Sequence, residues 1–290
     1  MEIYDYLIGP FADYAFMRRA LAAVVILACG STPLGVFLVL RRMSLMAEAM
    51  SHAVLPGVAI AFMVAGFSLP LMSLGGFCAG VAVALLAGLA SRFTQMREDA
   101  SFAALYPVAL ALGVMLVSLR GGAIDLMHLL FGSVLAVDQA SLFLMTGITG
   151  ATLMALAIAY RPLVMAICDP AFLSSQGGRT TLYHLLFLAL TAMNLVAGFQ
   201  AMGTLMAVGL MIIPAIAARF WVKHIDAMLG LAVLIGVSAG MAGLLISYHA
   251  SVASGPAIIL VAGVFYLASF LLGHHDSLRA RYWPRRHLTQ

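Results

Sequence analysis

Two side chains that can bind a metal ion, Glu48 and His52, lie four residues apart in an otherwise apolar stretch of the chain. This spacing places both side chains on one face of a helix. A carboxylate beside an imidazole is a suitable ligand pair for a divalent transition metal such as Mn, Fe or Zn. An ionised acid inside a membrane costs several kcal/mol unless it is paired or hydrated. The pair therefore predicts a metal site, and the alternative is a polar pair that hydrogen-bonds a neighbouring helix.

The elements that position this pair belong to a chain composed for the membrane. Hydrophobic residues make up 64% of its 290 residues and charged residues 9%, whereas soluble domains carry about 25% charged residues. The apolar runs are about 20 residues long and do not alternate, which favours helices over a barrel. We expect one transmembrane domain over 1–290, all-α, folded as a polytopic helical bundle. In such a chain the net charge of +4 governs topology, so no nucleic-acid partner is predicted.

Hydropathy divides the chain into nine predicted membrane segments. Their spans are 16–40, 48–66, 69–91, 100–119, 140–160, 180–199, 201–218, 225–247 and 255–273. The sixth and seventh segments meet near Gly198 to Gly203 with almost no loop, so their merger would leave eight spans. Residues 1–13 are predicted to be an interfacial segment, and 274–290 a basic cytoplasmic tail suited to lipid headgroups.

The basic residues predict the orientation of these segments. The chain has 15 Lys and Arg, and cytoplasmic loops carry an excess of both. With the C-terminus inside, the cytoplasmic set is Arg41, Arg42, Arg92, Arg97, Arg161, Arg179, Arg219, Lys223, Arg279, Arg281, Arg285 and Arg286. The outer set is Arg18, Arg19 and Arg120. This bias favours nine spans with the N-terminus out and the C-terminus in, whereas eight spans would turn the N-terminus inward.

Two of the longer connections contain candidate functional residues. On the outer side, Asp125 and His128 lie three residues apart, where they either help a metal ion to enter or cap a short re-entrant helix. On the cytoplasmic side, the connection 161–181 contains Asp169-Pro170, which is typical of a helix start, and the breaker pair Gly177-Gly178. A short exposed helix between such breakers is typical of a docking element.

The order of motifs along residues 16–272 resembles the membrane permeases of ABC importers for manganese, zinc and iron. The strongest match is the acid-x-x-Ser-His frame of Glu48, Ser51 and His52 within 35–57. The other matching runs are 98–100, 125–132, 169–172, 200–203, 212–219 and 254–256. The family usually has Asp at the position of Glu48, and Glu extends the reach of the carboxylate by about 1.5 Å.

The resemblance implies a set of partners and a mechanism. This permease would form the path for the ion in the inner or plasma membrane of a prokaryote, with the ion as cargo and no permanent cofactor. The chain has no Gly-rich phosphate-binding loop with its Lys, so separate cytoplasmic ATPase subunits would hydrolyse ATP. They would dock on residues 169–178, with Asp169, Pro170, Phe172, Gly177 and Gly178 as the expected contacts. A second permease copy and an extracytoplasmic metal-binding protein would complete the importer.

Passage through such a path requires a site that releases its ion. A closed cage of four protein ligands would trap the ion, so we expect two or three protein ligands, with water or the second copy completing the shell.

Pro56 and Gly57 follow one turn after His52 and predict a kink, which is either a gating hinge or a static bend. Asn194 and Gln200 are predicted to form hydrogen bonds between helices.

Two other classes of protein compete with this interpretation. A secondary transporter could couple metal to a proton or ion gradient, but the sequence has one convincing intramembrane acid and no second segment bearing one. An intramembrane metalloenzyme would need a His-Glu-x-x-His type cluster or paired acids, and the sequence contains neither. The sequence leaves the choice among Mn, Zn and Fe open.

Overall fold

Helices account for nearly all of the chain that the structure describes. The computed structural model describes residues 6–66, 68–94, 98–119, 134–168, 175 and 180–282. The helices are α1 (Gly9–Asp13), α2 (Ala15–Leu40), α3 (Ser44–Ala53), α4 (Leu55–Ala65), α5 (Leu69–Phe93), α6 (Glu98–Leu119), α7 (Gln139–Cys168), α8 (Thr180–Met202), α9 (Thr204–Arg219), α10 (Ile225–Ala250), α11 (Ser254–Leu272) and α12 (Leu278–Tyr282). The described residues include no strand, so the predicted all-α class is confirmed.

The nine predicted segments correspond to α2, the pair α3–α4, and α5 to α11. Eight of them are long and apolar enough to cross a membrane, and the pair α3–α4 counts as one span, Ser44–Ala65. The remaining predicted segment corresponds to α9, which is a shorter apolar helix of 16 residues. Gly203, with a φ of 92°, separates α8 from α9, because a left-handed residue cannot continue a right-handed helix. The two segments therefore do not merge.

The predicted end of the fifth segment at residue 160 is wrong. Helix α7 continues through Pro162 to Cys168, so the connection that follows is shorter than 161–181. A proline removes one backbone hydrogen bond, but neighbouring groups in a membrane bundle can compensate for the loss.

At its other end, α7 begins after Asp138, whose Oδ1 accepts a 3.0 Å hydrogen bond from the backbone N–H of Ser141. Hydrogen bonds from the Ser141 side chain and backbone hold the pKa of Asp138 below its usual value.

Burial divides the helices into a centre and a periphery. In the most apolar stretch of α2, 78% of the residues are buried, and in that of α8 the share is 72%. In the corresponding stretch of α6, only 17% of the residues are buried. Helix α2 packs against α7, α8, α9 and α10, and α6 packs mainly against α3, α4 and α5. The helix pair that contains Glu48 and His52 therefore lies between the buried centre and a peripheral helix.

Glycines allow the central helices to approach one another closely. A Cβ on Gly35 of α2 would collide with the backbone carbonyl of Met211 in α9. A Cβ on Gly240 of α10 would collide with the side chain of Val24 in α2, and a Cβ on Gly236 would lie 3.1 Å from Cγ2 of Thr32. Small residues at such crossings are the usual packing solution between membrane helices.

Candidate metal site

The turn between α2 and α3 brings the chain to the site. Arg42 adopts a left-handed conformation with a φ of 59°, and the backbone N–H of Met43 donates to the carbonyl of Leu38 at 2.9 Å. Arg41 is held by α8: its Nη1 lies 2.7 Å from Nδ1 of His184, and its guanidinium lies 4.9 Å from the ring centroid of Phe187. The entry to α3 is thus fixed against the buried centre of the bundle.

Helix α3 presents two different faces. Ala, Leu, Met and Glu fill most of its ten residues and favour helix formation. The inward face carries Met46 and Met50, both 0% exposed, in the largest hydrophobic cluster. The opposite face carries Leu45, which is 76% exposed, and Glu48, which is also exposed, while His52 is partly buried. The predicted pair therefore lies on the outward side of α3, as its spacing requires.

The imidazole of His52 has an unusual environment. Its Nδ1 is buried and has no hydrogen-bond partner. The ring stacks on Tyr106 of α6, with ring centroids 6.0 Å apart and planes inclined by 28°. Helix α6 continues through Pro107, the residue after Tyr106.

The helix carrying the pair is interrupted one turn further on. Helix α3 ends at Ala53 and α4 begins at Leu55, with Pro56 in its first turn. Proline has no N–H to donate to the carbonyl of residue i−4, which here is the carbonyl of His52. Gly57 then crosses Gly75 of α5 so closely that a Cβ on Gly57 would collide with the carbonyl oxygen of Gly75. The kink predicted at Pro56 and Gly57, and its role in gating, stay predictions.

From one chain, this site offers a metal ion two side-chain donors, Glu48 and His52. Within the described residues, no group of three or more His, Cys, Asp and Glu side chains is placed to hold a metal. A carboxylate and an imidazole suit Mn(II), Fe(II) and Zn(II), but two ligands leave most of a coordination shell to be filled from elsewhere. This is the donor count expected of a site through which an ion passes, and it does not resemble a closed structural metal site.

The remaining predicted residues divide into two groups. Asp125 and His128 lie outside the described residues, as do Asp169, Pro170, Phe172, Gly177 and Gly178. The interhelical hydrogen bonds predicted for Asn194 and Gln200 are present. Asn194 Nδ2 donates to Oγ1 of Thr152 in α7 at 2.7 Å, and the hydroxyl of Ser73 in α5 donates to Oε1 of Gln200 at 2.6 Å.

A polytopic helical bundle with a carboxylate and an imidazole on one face of α3 is compatible with a membrane permease for metal ions, and similarity to known proteins agrees with this class. Residues 13–273 match the ABC 3 transport family, and the chain belongs to that family. It is 35% identical to the manganese transport system membrane protein MntC of Halalkalibacterium halodurans over 272 residues, covering 93% of this chain and 92% of the relative. It is 31% identical to the chelated iron transport system membrane protein YfeD of Yersinia pestis over 272 residues, with coverages of 94% and 90%.

A solved structure extends the similarity to three dimensions. The chain superposes on PsaBC from Streptococcus pneumoniae, solved in complex with Fab, with a TM-score of 0.83 and 30% identity. The match covers 97% of this chain and 98% of the other. The protein is thus the permease subunit of an ABC metal importer, a multi-pass protein of the bacterial plasma membrane. Membership of this family overturns the two competing interpretations, a gradient-coupled transporter and a metalloenzyme.

Proposed function

We propose that Glu48 and His52 form the transient binding site of the cation pathway and that ATP is hydrolysed by a separate subunit. The observation that carries this proposal is the shared outward face of α3, where an exposed carboxylate and a partly buried imidazole lie four residues apart. With a rise of 1.5 Å per residue, Glu48 lies about 6 Å and His52 about 12 Å along the helix from Ser44. A charged group that faces lipid within a membrane span is costly, which favours a polar path beside this face.

A second permease copy is the proposed cover of this face. Leu45 and Glu48 point away from their own bundle, and an interface between two copies would remove both from lipid. A two-fold axis beside α3 would bring two Glu48 and two His52 together, because such an interface pairs the same surface of each copy. The paired donors, with water, would then complete the coordination of the ion.

Manganese is the cargo that we propose first, with iron second. The relatives described above are named for manganese and for chelated iron, and hard carboxylate oxygen suits Mn(II) well. An extracytoplasmic metal-binding protein would deliver the ion to the outer mouth. Residues 169–178 would dock the ATPase on the cytoplasmic face, and Asp125 and His128 would border the outer entrance.

Truncation of each donor tests the site directly. In cells that co-express the ATPase and the binding protein, Glu48→Ala and His52→Ala are expected to reduce manganese uptake at least tenfold while the importer still assembles. His224→Ala, at the exposed start of α10, is the matched control and should keep uptake. Unchanged uptake in either donor variant at matched expression contradicts the proposal, and uptake that survives inactivation of the ATPase contradicts its ATP-driven part.

A further inference from the structure

Tyr106 is the aromatic side chain of α6 that contacts the proposed donor pair. Its ring lies against the imidazole of His52 at a centroid distance of 6.0 Å. Tyr106 is partly buried, at the edge of the same hydrophobic cluster that contains Met46 and Met50 of α3. The contact therefore joins the interior of the bundle to the face of α3 on which Glu48 lies.

The position of Tyr106 along α3 and α4 is fixed by packing on both sides. Four residues before it, Phe102 is 1% exposed and belongs to the same cluster as Met46 and Met50. Seven residues after it, Gly113 lies so close to α4 that an added Cβ would be 3.0 Å from Cβ of Leu55 and 3.1 Å from the backbone nitrogen of Pro56. Phe102, Tyr106 and Gly113 share one face of α6 because their spacings follow the helical period. Helix α6 cannot slide along α3 and α4 without losing these contacts.

Histidines that bind metals are usually oriented by a hydrogen bond from the second ring nitrogen to a carboxylate, carbonyl or water. The buried Nδ1 of His52 has no hydrogen-bond partner among the described protein groups. The ring of Tyr106, stacked on the imidazole, restricts rotation of the imidazole about its side-chain bonds. A side chain held in one orientation loses less entropy when it binds an ion.

We propose that Tyr106 is a positioning residue that sets the plane of the His52 imidazole for metal binding. The inference rests on the proposed function of Glu48 and His52. It assigns the role to the aromatic ring of Tyr106 and not to its hydroxyl, because the contact is ring against ring. Loss of the hydrogen-bonding partner that orients a metal-binding His typically weakens metal affinity by about 10- to 100-fold, and we expect loss of a ring contact to act at the lower end of that range.

Equilibrium binding of Mn²⁺ to the assembled permease–ATPase complex, followed by electron paramagnetic resonance without the binding protein, tests this role. Tyr106→Leu removes the ring and is expected to raise the dissociation constant about tenfold. Tyr106→Phe keeps the ring and should stay within about twofold of the unchanged protein. Tyr183→Leu is the matched control, since Tyr183 borders the same cluster and has no ring contact with His52 among the described residues. It should not change binding.

The outcomes separate this inference from the proposed function. If Tyr106→Leu binds Mn²⁺ as tightly as the unchanged protein while His52→Ala loses binding, the positioning role is wrong and the metal site stands. If Tyr106→Phe is as weak as Tyr106→Leu, the ring is not the responsible group and the inference is overturned. Equal weakening in Tyr183→Leu would trace the effect to general loss of packing and also overturn it. If His52→Ala binds normally, the metal site itself is wrong.

Discussion

At the scale of single residues, the length of the acid at position 48 is the feature most open to chemical test. The resemblance noted in the sequence implies Asp at this position, and Glu places its carboxylate about 1.5 Å further from the backbone. The exposed position of Glu48 leaves space for the longer side chain on the outward face of α3. Its extra reach suits an ion held between two copies better than one held against a single helix.

Two substitutions at this position separate charge from length. Glu48→Gln keeps the shape of the side chain but removes the charge, and it should reduce manganese uptake at least tenfold. Glu48→Asp keeps the charge and restores the usual family residue, so uptake should continue with an altered half-saturating concentration. Uptake of Mn²⁺, Fe²⁺ and Zn²⁺ measured in parallel would show whether the longer acid sets the order of preference. Equal activity of the Gln variant and the unchanged protein would contradict a ligand role for Glu48.

At the scale of helices, the crossing of α4 and α5 controls where the donor pair sits. The backbones of Gly57 and Gly75 approach so closely that neither position has space for a Cβ. Backbone atoms cannot move aside as a flexible side chain can, so an added methyl group must push the helices apart. Because α4 follows α3 after one residue, such a displacement would be transmitted to His52.

Gly57→Ala is therefore expected to lower both thermal stability and uptake. Overpacking of this kind typically costs about 1–3 kcal/mol. Gly230→Ala is the control, because nothing lies within 4 Å of the position that its Cβ would occupy. The measurements are the thermal unfolding of the purified protein in detergent and manganese uptake at matched expression. A Gly57→Ala variant that behaves like Gly230→Ala would show that the crossing does not position the site.

Much of the helix pattern could be predicted from the sequence because lipid imposes a length on each apolar run. The starts of α5, α8 and α10 at residues 69, 180 and 225 coincide with the predicted starts. The end of α7 was predicted wrongly, because Arg161 and Pro162 look like a boundary on local grounds while the helix continues to Cys168. Whether a helix stops at such residues depends on its neighbours, which a hydropathy pattern does not contain.

Only part of the candidate site could be predicted from the sequence, because contacts between helices depend on how the helices pack. The spacing of Glu48 and His52 predicts a shared helix face, since the helical period is fixed. The contact between His52 and Tyr106 depends on the register between α3 and α6, which is set by Phe102 and Gly113 and not by any local motif. A tyrosine inside an otherwise apolar helix was the one available signal.

At the scale of the whole molecule, the uneven burial of the helices is consistent with the pairing of two permease copies. The helices of one copy enclose α2 and α8 but leave the outward face of α3, with its acid, uncovered. A carboxylate that faces lipid within a membrane span is costly. The uncovered face is accounted for if two copies meet there around a hydrated path.

The orientation of the molecule decides which end of that path lies nearer to Glu48. With the C-terminus inside, the ends of α2 and α10 that carry Arg41, Arg42 and Lys223 face the cytoplasm, as the excess of basic residues predicts. Glu48, five residues into the span Ser44–Ala65, would then lie near the cytoplasmic end. An ion would cross most of the membrane before meeting the carboxylate, and would leave toward the face where the ATPase docks.

Labelling of single cysteines on the two sides of α10 tests this orientation. Helix α10 has 26 residues and spans about 39 Å, so exposed Lys223 and Val252 lie on opposite sides of the membrane. After replacement of Cys29, Cys78 and Cys168 by Ala, Val252→Cys should react with an impermeant maleimide on intact spheroplasts. Lys223→Cys should react only after the membrane is permeabilised. The reverse pattern would place Glu48 near the outer mouth, where it would receive the ion from the binding protein instead of releasing it inward.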